Sequence, residues 1–139
     1  MKTKLLLSML FLFAGTLIFG MMTGFRQVQQ KKPWVVPDAD KNKVNPIKPD
    51  ASSISDGKEL WVKYCQSCHG KTGKGDGTKA AELKTEPGNF TKADVQSQTD
   101  GSLYYKISKG RDDMPGFKKK IPENDDIWSI VNFIRTLKK

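Results

Sequence analysis

Cys65-Gln66-Ser67-Cys68-His69 contains both cysteines and the single histidine of this 139-residue chain. Two cysteines separated by two residues and followed directly by histidine are typical of a segment that attaches a haem covalently through two thioether bonds. The short spacing lets both sulfurs reach one edge of a flat macrocycle, and the imidazole can then ligate the iron. The pattern predicts that Cys65 and Cys68 bind one haem c covalently and that His69 is its proximal axial ligand.

Three other interpretations use the same residues. A thiol switch of the thioredoxin type needs only the two cysteines and usually follows a strand in a βαβ unit, which this sequence does not indicate. A structural zinc site requires four Cys or His ligands, and the chain has three. Any short motif can also occur by chance, and Cys65 and Cys68 would then be two buried thiols beside a surface histidine. Haem attachment is favoured because it gives all three side chains one role.

The methionines predict the second axial ligand. Only one of them lies outside the apolar N-terminal segment; the five are Met1, Met9, Met21, Met22 and Met114. Because the chain has no second histidine, the thioether of Met114 is the available sulfur ligand for a haem iron. A lone methionine ordinarily fills a core, but Met114 lies in a charged loop beside Pro115 and Gly116. Met114 is therefore predicted to be the distal axial ligand.

Five stretches in a fixed order resemble the class I, single-haem cytochromes c of the small bacterial type. They are Gly57–Trp61, Cys65–Gly70, Gly73–Gly77, Met114–Phe117 and Trp128–Leu137. The resemblance covers the chain from about Ser53 to the C-terminus. It implies an all-α cytochrome c fold, with three to five helices around one covalently bound haem, and an apo-protein that folds poorly. It also implies that a backbone carbonyl accepts a hydrogen bond from Nδ1 of His69, without identifying which carbonyl.

Helix start and stop signals agree with an all-α fold. The predicted helices begin at an N-cap Ser55, cover Thr99–Ser108 before a C-cap Gly110, and begin near Asn124. The last helix has apolar residues at spacings of three and four, which predicts that this face packs in the core. Glycine inside the first helix, at Gly57, costs about 1 kcal/mol relative to alanine. The resemblance implies that Gly57 lets the first and last helices cross closely, against Phe133.

Glycines follow the cysteine motif at short intervals, at Gly70, Gly73, Gly75 and Gly77. A phosphate-binding loop is the alternative interpretation, but the run lacks a terminal Gly-Lys-Ser or Gly-Lys-Thr and does not follow a strand. The run is predicted to pack its backbone closely around the haem edge. The turn over residues 87–91 is predicted to cover the lower edge of the haem, with Phe90 pointing inward.

The first 25 residues predict export from the cytoplasm. Lys2 and Lys4 precede an apolar run from Leu5 to Met22, which is typical of either a cleaved signal peptide or an uncleaved membrane anchor. Both remain open, because Met22 or Phe25 falls within every Ala-x-Ala-like cleavage site that can be placed. Since the resemblance implies haem attachment outside the cytoplasm, the predicted location is the periplasm or the outer face of the cytoplasmic membrane. Residues 5–22 would hold the chain in the membrane if they are uncleaved.

Residues 26–52 are predicted to be a flexible tether, because four prolines and many charged residues interrupt every periodic pattern. The apolar island Trp34–Val36 within it is predicted to dock either on the following domain or at the membrane interface. Residues 53–139 are predicted to form a single cytochrome c domain, since they are too few for two domains.

The positive charge of the chain predicts what kind of partner it binds. The chain carries 24 Lys and Arg against 15 Asp and Glu, a net charge of +9. Lys118, Lys119 and Lys120 directly follow the Met114 loop, where a basic rim would attract redox proteins with acidic docking surfaces. A solvated charge run without a partner is the alternative. Neither nucleic acid nor a small-molecule substrate is expected as a partner.

The predicted function is electron transfer between respiratory complexes by a haem with His69 and Met114 as axial ligands. Because both axial positions are filled, the chain is not expected to be an enzyme on its own. One alternative is a haem c subunit of a larger membrane redox complex, either a quinol-oxidising complex or a terminal oxidase. The other is a ligand-responsive or peroxidatic haem protein in which Met114 is easily displaced.

Overall fold

The computed structural model describes residues 33–139, so the predicted export segment of residues 1–25 lies outside the described residues. Val35–Lys139 form one compact unit. Its helices are α1 (Asp38–Lys41), α2 (Ala51–Tyr64), α3 (Gln66–His69), α4 (Ala93–Gln96), α5 (Asp100–Lys109) and α6 (Asn124–Thr136), with a 3-10 turn over Ala80–Glu82. In this part of the chain the only β pairing is an isolated bridge between Arg111 and Met114. The predicted all-α class is confirmed.

Helix α2 begins earlier than the sequence predicted. Asp50 is its N-cap, and the Asp50 side chain accepts a hydrogen bond from the Ser53 backbone N–H at 2.9 Å. The Ser53 hydroxyl accepts one from the Asp50 backbone N–H in return, which closes a capping box. Ser55, the predicted N-cap, therefore lies inside the helix. In a capping box the residue that accepts from the N-cap backbone is usually Glu or Gln. Because Ser53 takes this place, the sequence did not indicate Asp50 as the N-cap.

Helices α5 and α6 begin where the sequence indicated, within one residue. Thr99 caps α5 by accepting a hydrogen bond from the Ser102 backbone N–H, and Gly110 ends the helix with a φ of 67°. Helix α6 begins at Asn124, with Asp125 and Asp126 in its first turn, where negative charge favours the helix dipole.

The core of the unit forms where α2 crosses α6. A Cβ atom on Gly57 would lie 2.0 Å from the carbonyl oxygen of Ser129, so the two backbones touch at this point. One turn further along α2, the Trp61 ring packs against Phe133 with ring centroids 5.7 Å apart. The predicted close crossing is therefore present, but Gly57 faces the backbone of Ser129 and Ile130, and Trp61 contacts Phe133.

The buried apolar side chains come mainly from α2, α5 and α6. The largest of those that are completely buried are Trp61, Ile121, Ile127, Ile130, Val131 and Ile134. Four members of this set lie on α6, at the positions that the sequence predicted to face the core. The last helix therefore supplies much of the hydrophobic surface on which the other elements pack.

The segment before α2 differs from the predicted tether, because its backbone is held against the helices from about residue 40 onward. The Thr99 hydroxyl donates to the carbonyl of Lys41 at 2.6 Å. The amide of Asn132, which is 4% exposed, donates to the carbonyl of Ile47 and accepts from Asn45 at 2.8 Å. We call residues 38–50 the N-terminal arm. A buried asparagine on α6 provides polar partners that a proline-rich composition does not reveal. No helix in residues 33–139 is long and apolar enough to span a membrane.

Replacing Gly57 by alanine is expected to destabilise the haem-loaded protein by about 1–3 kcal/mol, because the added methyl group must push α2 away from α6. The higher helix propensity of alanine offsets only about 1 kcal/mol of this loss. Denaturant unfolding followed by tryptophan fluorescence measures the change. Ser55→Ala, at an exposed position of the same helix, is the matched control. Equal stability of the two variants would contradict the close crossing.

Candidate haem-binding site

The cysteine motif forms one short helical turn at the end of α2. Cys65 is both the C-cap of α2 and the N-cap of α3, and its carbonyl accepts hydrogen bonds from the backbone of Cys68 at 3.2 Å and His69 at 2.9 Å. Residues three and four apart on a helix share a face, so the two sulfurs and the imidazole lie on the same side. Both thiols are free; Cys65 is buried and Cys68 is half-buried. The structure thus brings together three of the four predicted site residues.

Burial controls the protonation of this turn. It raises the pKa of the Cys65 thiol to about 12, with a smaller contribution from the neighbouring Cys68. Burial also lowers the pKa of His69, and the backbone carbonyl of Gly88 opposes this in part. The His69 imidazole is therefore neutral at pH 7, and the neutral imidazole is the form that can ligate a metal.

Aromatic rings fix the orientation of the His69 side chain. Phe90 meets it edge-on with ring centroids 4.9 Å apart, and Trp61 lies at 5.7 Å. The indole N–H of Trp61 donates to the carbonyl of Gly70 at 3.1 Å, which ties the ring to the residue after His69. The predicted inward packing of Phe90 is confirmed.

Nδ1 of His69 is fully buried and makes no hydrogen bond in the described residues. The carbonyl of Gly88 is the backbone acceptor whose influence reaches this imidazole, since it raises the pKa of His69. A hydrogen bond from Nδ1 would leave Nε2 as the metal-binding nitrogen, because the partner of one imidazole nitrogen sets the role of the other. Two free thiols and a neutral imidazole on one helix face fit the requirements of a covalently attached haem.

The glycine run after the motif packs its backbone against the backbone of the Cys65–His69 turn, and its packing around a haem edge stays a prediction. Gly75 donates to the carbonyl of His69 at 2.9 Å and Gly77 to that of Cys68 at 3.2 Å, so the run satisfies the carbonyls at the end of α3. Gly75 has a φ of +81°, and a Cβ atom there would lie 2.6 Å from the carbonyl oxygen of Pro87. This contact places Pro87 and the following Gly88 beside the His69 turn.

Met114 lies in a separate loop after α5. It is half-buried and packs against the same hydrophobic core to which Cys65 belongs. The backbone N–H and carbonyl of Met114 pair with those of Arg111 at 2.9 and 2.8 Å, so residues 111–114 form a tight turn. Ligation of an iron by Met114 stays a prediction.

Asp113 and Gly88 lie close to the predicted ligands Met114 and His69, and the sequence did not indicate a role for either of them. Asp113 accepts hydrogen bonds from the backbone of Lys84 and Thr85, and it directly precedes Met114. A carboxylate next to the predicted ligand was a usable signal for Asp113. The sequence indicated Gly88 only by its place in the turn before Phe90. Every residue has a backbone carbonyl, so the role of one carbonyl cannot be recognised from the sequence.

Lysines 118 to 120 are all exposed, and two of them also contact neighbouring parts of the chain. The Lys118 ammonium donates to the carbonyl of Pro122 and to the side chain of Asn124, at the beginning of α6. The Lys120 ammonium lies 5.8 Å from the centre of the Phe117 ring. Lys119 is exposed. Two of the three charges thus also stabilise the chain segment that follows Met114.

A comparison with protein families matches residues 52–134 to the family described as cytochrome C oxidase, cbb3-type, subunit III. The matched range contains the Cys65–His69 turn, the Met114 loop and nearly all of α2 and α6. No curated protein matches the chain.

Two solved structures resemble the fold. A chain of the Kuenenia stuttgartiensis reducing HAO-like protein complex Kustc0457/Kustc0458 has 23% identity and a TM-score of 0.60, over 81% of this chain and 53% of that one. This chain therefore spans about half the length of that relative. The KustC0563 c-type cytochrome has 27% identity and a TM-score of 0.53, over 60% of this chain and 99% of that one.

Replacing Gly75 by alanine is expected to destabilise the protein by about 2 kcal/mol or more, since the new Cβ strains a left-handed residue and collides with Pro87. Displacement of Gly88 should also change the reduction potential, because its backbone influences the His69 imidazole. Thermal unfolding and a redox titration measure the two effects.

Gly88→Ala is the matched control for Gly75→Ala. A Cβ atom at Gly88 meets only Val95, at an ordinary contact distance of 3.9 Å, and the variant keeps the backbone carbonyl. Its stability and potential should stay close to those of the parent protein. A larger effect at Gly88 than at Gly75 would contradict the described packing.

Proposed function

We propose, from the premise that this chain belongs to the cytochrome C oxidase, cbb3-type, subunit III family, that it transfers single electrons through one haem c covalently bound to Cys65 and Cys68. The chain is a c-type cytochrome with the all-α cytochrome c fold. Haem-based electron transfer follows from membership of this family.

The observation that carries the proposal is the turn from Cys65 to His69. It presents two free thiols and a neutral imidazole on one face of the helix, with Nδ1 of the imidazole fully buried. When bound, the haem iron supplies a one-electron couple between its ferric and ferrous states. Cys65 and Cys68 would hold the macrocycle through two thioether bonds, and the neutral imidazole of His69 would ligate the iron.

Met114 is proposed as the distal ligand. Its loop is closed by the backbone pairing with Arg111 and packs on the core, so the side chain is presented from a fixed backbone. A thioether favours the reduced state and raises the reduction potential. With His69 and Met114 both bound, no axial position is open for a substrate, and the chain acts as a carrier without being an enzyme on its own.

We place the protein outside the cytoplasm, in the periplasm or at the outer face of the cytoplasmic membrane. The support is the basic and apolar pattern of residues 1–25 together with the requirement of covalent haem attachment. Residues 5–22 hold it in the membrane if they are uncleaved. Its partners are respiratory redox proteins with acidic docking surfaces, attracted by basic residues such as Lys119 that follow the Met114 loop.

A second candidate function is that of a haem c subunit in a larger membrane redox complex. The family description favours it, since that description names a subunit of an oxidase. Membranes solubilised in a mild detergent separate the two candidates. Isolation of a free haem protein supports the mobile carrier, and copurification with a stoichiometric set of membrane subunits supports the complex.

Replacing Met114 by leucine is expected to abolish the long-wavelength charge-transfer band that a methionine–iron bond gives in the ferric protein, and to let the ferrous protein bind carbon monoxide. The reduction potential should fall by on the order of 0.1 V, because the axial ligand is a main determinant of haem potential. Val62→Ala, at a half-exposed site on α2, is the control and should keep all three properties.

Intact mass of the mature parent protein is measured first, to count the covalently attached haems and to report signal cleavage. If the parent protein itself lacks the charge-transfer band and binds carbon monoxide, the His69/Met114 assignment is wrong. The ligand-responsive alternative would then account for those properties.

The rate of oxidation of the reduced protein by the hexacyanoferrate(III) anion should fall as ionic strength rises, because the basic surface attracts the anion. Lys119→Glu should slow the reaction by a factor of about two to five at low ionic strength and much less at high ionic strength. Lys48→Glu, in the N-terminal arm, makes the same change in net charge and is the control. Equal slowing by both variants would exclude a local basic rim.

A further inference from the structure

Asp113 joins the Met114 loop to a second loop of the chain. One carboxylate oxygen, Oδ2, accepts hydrogen bonds from the backbone N–H groups of Lys84 at 2.8 Å and Thr85 at 3.0 Å. The hydroxyl of Thr85 donates to the same oxygen at 3.3 Å. Hydrogen bonds to an ionised acceptor are stronger than those between neutral groups. The contact therefore holds the chain directly before Met114 in place.

The other side of the Met114 loop is fixed to the end of α5. The Phe117 backbone N–H donates to the carbonyl of Ile107 at 2.9 Å, and Gly116 packs so closely on Lys109 that a Cβ atom would lie 2.5 Å from its carbonyl oxygen. Directly before Asp113, Asp112 adopts a φ of 51°, a left-handed conformation that L-residues disfavour. The Asp113 contacts with Lys84 and Thr85 hold the chain next to this turn.

The loop that Asp113 binds continues directly to the surroundings of His69. Three residues after Thr85 comes Gly88, whose carbonyl influences the imidazole, and then Phe90, whose ring contacts it at 4.9 Å. Phe90 is itself held by a backbone hydrogen bond to Gly73 at 2.6 Å. One segment, residues 84–90, therefore binds the Met114 loop at one end and packs on His69 at the other.

We propose that Asp113 is a positioning residue for the distal ligand: it holds Met114 at the haem by fixing the Met114 loop to the segment that packs on His69. The inference rests on the proposed function, since it requires Met114 to ligate the iron. Loss of the Asp113 contacts should raise the fraction of molecules in which Met114 has left the metal. An added ligand then binds more tightly, because its apparent affinity is proportional to that fraction.

The test is a titration of the ferric haem-loaded protein with imidazole, followed by absorbance. Asp113→Ala should lower the apparent Kd for imidazole by about tenfold, which is the expected effect of losing hydrogen bonds to a charged group at a partly exposed site. The charge-transfer band of the methionine–iron bond should weaken in parallel. Asp113→Asn keeps one oxygen that can accept from the two backbone N–H groups, so its Kd should fall by only about threefold.

Asp112→Asn is the matched control, because it removes the same charge one residue away. The Asp112 side chain is 61% exposed and pairs with Arg111 and not with the residue 84–85 loop, and asparagine tolerates a positive φ. Its Kd for imidazole should equal that of the parent protein. Thermal unfolding of each variant shows whether a change at the iron accompanies a general loss of stability.

The outcomes separate the inference from the function on which it rests. If Asp113→Ala and Asp112→Asn shift the Kd equally, the effect is one of charge and the positioning role is wrong, although the methionine band of the parent protein still supports the proposed function. If the parent protein lacks that band, the proposed ligation fails first. If Asp113→Ala does not accumulate with haem, Asp113→Asn is used in its place. A Kd for imidazole that is equal in Asp113→Asn and Asp112→Asn then overturns the inference.

Discussion

The contact between the backbones of α2 and α6 at Gly57 is the constraint on which the rest of the structure depends. It brings Trp61 onto Phe133, and the Trp61 indole then reaches both the His69 ring and the carbonyl of Gly70. The two helices thus fix the start of the haem-binding turn before any cofactor is considered. A side chain at position 57 would separate α2 from α6 and move that turn with it.

Much of the site could be predicted because its chemistry depends on rare residues. Two cysteines, one histidine and one usable methionine leave few ways to assign a haem, and the helix signals placed α5 and α6 within a residue. The N-terminal arm could not be predicted in the same way. Its order depends on Asn132, a buried amide that donates to the carbonyls of Ile47 and Lys48 far away in sequence, and such long-range polar pairing has no local pattern.

Several contacts around the predicted ligands His69 and Met114 are made by backbone atoms, and this explains why the sequence predicted these two residues but not their surroundings. The backbone of Gly88 influences the His69 imidazole, and the backbone N–H groups of Lys84 and Thr85 bind Asp113. All of them belong to residues 84–90. Substitutions within this segment can change its path, and with it the surroundings of both His69 and Met114, without replacing either residue.

The ordered arm changes how the two candidate functions compare. A flexible tether of residues 26–52 would reach roughly 90 Å when extended, enough to swing between membrane complexes. Because the compact unit begins at Val35, the 12 residues between the apolar run and the unit would reach only about 40 Å. If residues 5–22 remain as an anchor, the shorter link favours a haem domain that serves a fixed neighbour, as in a complex subunit. If they are cleaved, the arm imposes no such limit and the mobile carrier is favoured, so the mass of the mature protein also bears on which function the chain performs.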